Sequence, residues 1–469
     1  MPKVTVYIPT YNYGKYIKQA IESVLRQSYD SWELIVIDDA STDETGTVLS
    51  NFEGQPKVRI FVNQQNLGLT RNCNRAIELS RGEYIMRLDA DDYLDENALL
   101  VLCNILDRNP EVALVYPDYW IISENGELLR LERRSKVNDE IKLMDVPAHG
   151  ACSMIRKSCL IDLGGYNEDI RCQDGYDLWL RLIQKYPVLN INLPLFYYRK
   201  HSGSLTTYTD RILRTRQRIK QDFVEKQDMP PLRVLAIIPV RGAETANGLP
   251  LGLRRIAGKP LMDYTVQAAL ESKALDRIAV TSDNRQVLEY AASFPGVEVI
   301  YRKPELARLH FPIEPTVLHV LNTLKENSGY VPDAVLLLYI NAPLREAWHI
   351  QKAIDTLRIF DCDSIISVRE DDSYFYLRGK YGLEPLIRER QLRLEKEMLY
   401  AENGAIILSK TEAITPAKFV GITVSHILMS REESFQIDSE FEFWLVEQIL
   451  TARQKKEQKT AETKGQLER

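Results

Sequence analysis

Two apolar strands that each end in Ile-Pro and a polar turn constrain this chain most: Val4-Thr5-Val6-Tyr7-Ile8-Pro9 and Val234-Leu235-Ala236-Ile237-Ile238-Pro239. Proline cannot donate to a sheet ladder, so each strand stops where the backbone must turn. After the first, strands are predicted at Glu33 to Asp39, Val58 to Val62 and Tyr84 to Leu88, separated by helices. Ile17, Ala20, Ile21, Val24 and Leu25 recur at helical spacing, Ser41 with Glu44 predicts a capping box, and a further helix is predicted around Arg71 to Leu79. After the second, the alternation starts afresh, with a helix over Leu261 to Leu270 and strands at Ile278 to Thr281 and Val335 to Tyr339. Such alternation predicts an α/β chain of two Rossmann-like, doubly wound domains with parallel sheets, which hold ligands at the carboxyl edges of their strands.

At 469 residues the chain is too long for one ordinary core. A polar, helix-like stretch from Asp210 to Lys226 is broken by Pro230-Pro231, which predicts domains over 1–229 and 230–452. Residues 453–469 are charged and without apolar periodicity, so a disordered tail is expected. The net charge of -6 argues against nucleic acid as a partner. No apolar run is long enough to span a membrane, and no leader segment is evident, so a cytoplasmic protein is expected. Arg211, Arg214, Arg216, Arg218 and Lys220 give the junction helix a basic face, read as solvated; the alternative is peripheral contact with anionic lipid at the inner membrane face. The six cysteines show no paired spacing and are read as reduced.

Three polar clusters fall on the carboxyl edge of the first predicted sheet: Pro9, Thr10, Tyr11 and Asn12; Asp38 and Asp39; and Asp89, Asp91 and Asp92. Carboxylates packed this closely repel one another, and the arrangement is comfortable when a hard cation takes oxygens from it. Asn125-Gly126 between apolar runs predicts a hairpin, followed by the charged run Glu132 to Lys136.

Ile8 to Asn12, Val36 to Asp43, Asn66 to Asn72 and Leu88 to Asp92 resemble, in order and spacing, the motifs of the GT-A, family 2 inverting glycosyltransferases, over residues 1 to 205. The resemblance implies that Pro9, Thr10, Tyr11, Asn12, Asp39, Arg71 and Asp89 bind the nucleotide of a nucleotide diphosphate sugar, UDP type being favoured. Asp89 and Asp91 would bind a divalent cation, Mn or Mg. Gln173-Asp174-Gly175-Tyr176-Asp177 is similar to the family's acid-pair segment, although Gln173 stands where a Glu is usual and Gly175 looks inserted. Asp174 is implied as the general base, with Asp177 as runner-up. Tyr197 to Leu205 is similar to a family stretch that lies over the diphosphate, which adds His201 as a metal ligand. The acceptor would be a sugar or a lipid-linked glycan.

From about residue 232 to 450, Arg241 to Pro250, Val280 to Asn284, Leu337 to Arg345, Glu402 to Ile406 and Phe435 to Asp438 resemble the acylneuraminate cytidylyltransferases. By that resemblance Arg241, Gly242, Asn247, Lys259, Asp283, Asn341, Asn403 and Asp438 would form the site, CTP would be its nucleotide, and a homodimer is implied. The motifs depart from the pattern. Ala243, Glu244 to Ala246 and Asn247 replace small and basic loop residues, and Gln436 stands where a first metal-binding Asp is usual. The expected function is a glycosyltransferase with an eroded cytidylyltransferase-like domain. Alternatives are a bifunctional enzyme that also activates a sugar with CTP, and a nucleotide-sugar-binding assembly or regulatory protein.

Overall fold

The computed structural model describes residues 1–133, 147–148, 150–170, 173–201, 209–243, 248–371, 373–380, 382–386 and 399–467. Its first elements are β1 (Val4–Thr10), α1 (Gly14–Leu25), β2 (Trp32–Asp38), α2 (Thr45–Ser50), β3 (Val58–Val62), α3 (Leu69–Leu79) and β4 (Tyr84–Arg87). There follow β5 (Tyr93–Leu94), α4 (Ala98–Arg108), β6 (Leu114–Ile122), β7 (Leu128–Glu132), β8 (Met154–Arg156) and α5 (Lys157–Asp162). Then come α6 (Asp174–Lys185), β9 (Val188–Arg199) and α7 (Thr209–Lys226).

Every position of β1 and β2 is buried, as expected of parallel strands covered on both faces. Strands β3, β2, β1 and β4 are parallel neighbours, with Thr10 opposite Asp38 and Tyr7 opposite Arg87. Their carboxyl ends are therefore nearly level. Beyond β4 the sheet becomes mixed, in the order β8, β6, β9, β5. The short β5 pairs antiparallel with β9, Tyr93 opposite Tyr197, which returns the end of β9 to the acidic stretch.

The Asn125-Gly126 hairpin is present as β6–β7, with Gly126 at φ 88°, where a residue with a Cβ is disfavoured. The expected Ser41–Glu44 capping box is not. Helix α2 begins only at Thr45, because the Ser41 hydroxyl accepts from Asn12 N (2.9 Å) and the Asp43 carboxylate accepts from Thr45 N (3.0 Å). Lys220, placed by its sequence on a solvated basic face, is buried and donates to Thr356 Oγ1 (2.7 Å).

The second part continues with β10 (Val234–Pro239), β11 (Arg255–Ile256), β12 (Lys259–Pro260), α8 (Leu261–Glu271), β13 (Arg277–Ser282), α9 (Arg285–Ala291) and β14 (Val297–Tyr301). Next are α10 (Glu314–Ser328), β15 (Ala334–Leu337), α11 (Ala347–Phe360), β16 (Ser364–Asp371), β17 (Tyr376–Gly379) and β18 (Gly382–Pro385). The chain ends with β19 (Leu399–Lys410), β20 (Val424–Leu428) and α12 (Glu440–Leu467). Here the sheet order is β14, β13, β10, β15, β19, β16, β20, with the first four strands parallel and β19 antiparallel to both its neighbours. Contacts divide the chain into two compact units, the first built mainly on Met1–Lys142 and Val146–Ile219, the second on Lys220–Asp371 and Leu399–Arg469.

The tail expected to be disordered is helical through Leu467. Phe443, Val446 and Leu450 anchor the start of α12, and the Lys, Gln, Glu and Ala residues that follow propagate a helix once it is nucleated. Cys73, Cys103, Cys152, Cys159 and Cys362 are buried free thiols, while Cys172 lies outside the described residues. Among the described residues no helix is long and apolar enough to cross a membrane.

Candidate active site

The acidic stretch after β4 is organised by the arginine before it. Arg87 is buried; its Nε donates to Asp89 Oδ1 and its Nη1 to Asp174 Oδ2, both at 2.6 Å. One guanidinium thus couples the proposed cation-binding turn to the proposed base. Asp91 Oδ2 lies 3.0 Å from His201 Nε2, with the two side chains 13% and 10% exposed. Burial and the Asp89 charge push the Asp91 carboxyl up, with His201 opposing. Burial and the charges of Asp91 and Asp89 push Asp92 well above the ordinary carboxylate range. Asp92 Oδ1 accepts from Arg199 N (2.9 Å), while its Oδ2 is buried without a hydrogen-bond partner among the described residues.

The end of β9 supplies the surrounding frame. Arg199 donates from Nε to Asp91 O (2.9 Å), from Nη1 to Glu124 O (2.9 Å) and from Nη2 to Gln19 Oε1 (2.7 Å). These bonds fix the acidic turn to the β6–β7 hairpin through Arg199, and of the adjacent residues Arg199 and Lys200 it is Lys200 that lines the cavity. The Asp91 carboxylate and the His201 imidazole meet each other, and Asp89 Oδ2 makes no hydrogen bond with a described residue; carboxylate oxygens and an imidazole are donor types that a divalent cation accepts. Among the described residues no group of three or more His, Cys, Asp or Glu side chains is arranged to hold a metal ion.

A cavity of about 740 Å³ unites the clusters. Pro9, Thr10, Tyr11, Asp39, Asn66, Gly68 and Asn72 line it from the β1–β2–β3 side, and Arg87, Asp89 and Asp91 from the end of β4. Tyr119, Arg130, Glu132, Gln173, Asp174, Tyr198, Lys200 and Arg216 complete it. Tyr11 is 44% exposed, and the Thr10 hydroxyl is buried with no hydrogen-bond partner among the described residues. Asp39 accepts from Asn63 Nδ2, Leu67 N and Gly68 N at 2.7 to 2.9 Å. Burial alone would raise its carboxyl, and these bonds hold it below its ordinary value. Asn12, at φ 60°, is not on the lining; its side chain accepts from Thr42 N (2.8 Å) and shapes the turn. Arg71 is also off the lining, exposed and paired with Glu168 (3.2 Å).

Asp174 and Asp177 differ in their surroundings. Asp174 faces the cavity; Asp177 is paired with Arg181 through Nε (2.9 Å) and Nη2 (2.7 Å), away from the lining. Arg181 also donates to Leu163 O and Gly165 O, so the pair holds the Gly164-Gly165 turn against α6. Arg87, Gln173, Arg130 and Arg216 line the cavity without having been expected there from the sequence, in which Arg216 reads only as part of a charged helix face, whereas Lys200 belongs to the basic Arg199-Lys200 pair expected to hold phosphate oxygens.

In the second unit, Asp283 Oδ1 accepts from Gly242 N (2.9 Å), and Asn341 Nδ2 donates to Asp438 Oδ1 (3.2 Å). These residues therefore meet in pairs along the strand edge. Asn403 is buried and satisfied by Ser367, Ser434 and Ala405 N, which makes it a core residue. Lys259 is exposed and donates to Gln267, Arg241 is exposed, and Asn247 lies outside the described residues. Arg302, not anticipated, is buried at the same edge: Nη2 donates to Val240 O (3.1 Å) and Nε has no partner among the described residues.

Residues 5–164 match the model for Glycosyl transferase family 2, and residues 235–364 that for Cytidylyltransferase. The chain is 32% identical over 208 residues to the chondroitin synthase of Escherichia coli, covering 44% of this chain and 30% of that protein. It is 33% identical over 188 residues to an uncharacterized glycosyltransferase of Methanocaldococcus jannaschii, covering 39% of this chain and 65% of that one. Among solved structures, S. aureus TarS in complex with UDP-GlcNAc is similar at 19% identity and a TM-score of 0.40, over 47% of this chain and 66% of that chain. The chain spans less than a third of the length of the first curated relatives it matches. It carries a glycosyl transferase family 2 domain in its first half and a cytidylyltransferase domain in its second.

Proposed function

We propose that the protein is a metal-dependent inverting glycosyltransferase. It moves a sugar from a nucleotide diphosphate sugar, of UDP type, to an acceptor hydroxyl on a sugar or lipid-linked glycan during cytoplasmic polysaccharide or glycan synthesis. One observation carries the reading: a single cavity is lined by the nucleotide-side residues, the acidic turn and Asp174, with Arg87 bonded to both Asp89 and Asp174.

Thr10, with its unpartnered hydroxyl, Tyr11 and the Asp39-braced loop at Gly68 receive the nucleotide. Asp89, Asp91 and His201 would hold a divalent cation, which when bound neutralises charge developing on the departing diphosphate. Lys200 adds positive charge on the same side. Arg87 engages Asp174 Oδ2 and leaves Oδ1 unbonded among described residues, available to take the proton from an acceptor hydroxyl on the far side of the sugar. Asp177, neutralised by Arg181, has no part in the proton transfer.

A second activity, CTP-dependent transfer by the second unit, is supported by Arg302, a buried guanidinium that forms no ion pair among the described residues at the edge where Gly242 and Asp283 meet. Calorimetric titration of the whole chain with UDP, GDP, CDP, CMP and CTP, with and without Mn, tests both readings. Mn-dependent binding of one nucleoside diphosphate, lost in Asp91→Asn, is expected. If no diphosphate binds, the transferase reading fails; if CTP does not bind, or binds undiminished in Asp438→Asn, the second activity fails.

A further inference from the structure

We propose that the cavity of the first unit contains a subsite for an anionic group on the acceptor, a carboxylate or a phosphate, with Arg216 as its cation. The proposal rests on the glycosyl-transfer reading and adds to it the chemical class of the acceptor.

Ile212 and Arg216 stand one turn apart on α7 and both line the cavity, so this face of the helix looks into the site rather than into water. Arg216 Nε donates to Gln173 Oε1 (2.8 Å), and the guanidinium lies 5.0 Å from the centre of the Tyr176 ring. Both partners are neutral. A guanidinium held over a ring and bonded through Nε is restrained at two points, and its two terminal NH2 groups, unbonded to described residues, form the fork that matches a carboxylate or phosphate.

The other cations of the lining are accounted for. Arg87 is neutralised by Asp89 and Asp174, and Arg130 by Glu132 (2.7 Å). Lys200 adjoins His201, on the side of the proposed cation. Arg216 forms no ion pair with a described residue, and a partly buried charge without a counter-charge is unfavourable until a ligand brings one. Its anchor, Gln173, immediately precedes Asp174 and is held at φ 60°, a conformation uncommon for a residue with a Cβ and typical of positions that a site constrains. The nucleotide side of the cavity is built from the β1–β2–β3 edge, whereas Arg216 is bound to α6 beside the base. The base must touch the acceptor hydroxyl, so the anion that Arg216 awaits belongs to the acceptor.

The test uses the full chain saturated with Mn and the diphosphate that binds in the titration above. Methyl glucoside, methyl glucuronide and methyl glucoside 6-phosphate are compared by saturation-transfer NMR competition. The wild type should favour a charged probe over the neutral one by ~10-fold or more, and Arg216→Gln should erase that preference. The better-bound probe names carboxylate or phosphate as the group. Should Arg216→Gln fail to fold, Arg216→Lys, which keeps the charge and loses the fork, should still lower the preference several-fold. Equal affinities in the wild type, or a preference untouched by either substitution, overturn the subsite while leaving the transferase reading standing. If no diphosphate binds, that reading falls and the subsite with it.

Discussion

Replacing Asp174 and Asp177 separately by Asn should give opposite phenotypes. Asp174 and Arg87 are each 9% exposed and 2.6 Å apart. At an effective dielectric constant near 20, such a pair interacts with about 4 kcal/mol, but Asn keeps a carbonyl acceptor and Asp89 still neutralises Arg87. The net loss of stability should therefore be that of one charge-assisted hydrogen bond, about 1.5–3 kcal/mol. Asn cannot accept the acceptor's proton, so turnover should fall by ~10²- to 10⁴-fold, equivalent to about 3–5 kcal/mol in the barrier. Asp177→Asn weakens a two-pronged pair with Arg181 that also secures Leu163 O and Gly165 O. It should cost about 1–3 kcal/mol of stability and leave turnover within ~5-fold of wild type below its melting point. Diphosphate release at saturating donor, with urea unfolding measured alongside, separates the two effects. Loss of turnover in Asp177→Asn with retention in Asp174→Asn would refute the assignment of the base.

Arg199→Met should destabilise the first unit by about 3–5 kcal/mol and loosen the acidic turn, because Asp91 O, Glu124 O and Gln19 lose their shared donor; a melt within 1 °C of wild type contradicts this. Gly242→Ala should destabilise the second unit by about 1–3 kcal/mol, since the added Cβ would meet Asn284 Cβ at 2.4 Å; unchanged urea unfolding would show that the turn relaxes freely. Burial holds the His349 imidazole below its ordinary 6.5. Against burial, His349 and Ser430 draw Glu433 down to about 2 from 4.5. Both groups bind fewer protons folded than unfolded, so stability should be complete above pH 6.5 and fall as pH drops, first through His349 and below pH 4.5 through Glu433. Melts from pH 8 to 4 check the sign, and His349→Gln should flatten the upper part of the curve.

Much of the fold was legible because its signals are local. A strand ending in Ile-Pro, an Asn-Gly turn and helical spacing of apolar residues each need only a few neighbours to act. The capping box failed for the same reason in reverse: Ser41 has the right spacing to Glu44, but Asn12, 29 residues earlier, takes its hydroxyl. The tail misled because a polar segment without periodicity still extends a helix that Phe443 and Val446 have nucleated.

By itself the sequence determined two strand–helix alternations, the carboxyl edges on which the polar clusters lie and the acidic turn between Asp89 and Asp92. Tertiary structure decided how each group is used. Arg87 reads in the sequence as one residue of an apolar strand; its partner Asp174 is 87 residues away. Asp174 faces the cavity while Asp177 meets Arg181, a difference that four residues of sequence do not carry. Arg216 lines the cavity because α7 lays one face against Gln173 and Tyr176. Charge type and spacing are written in the chain, but whether a charge is neutralised, buried or left waiting depends on partners that folding brings together.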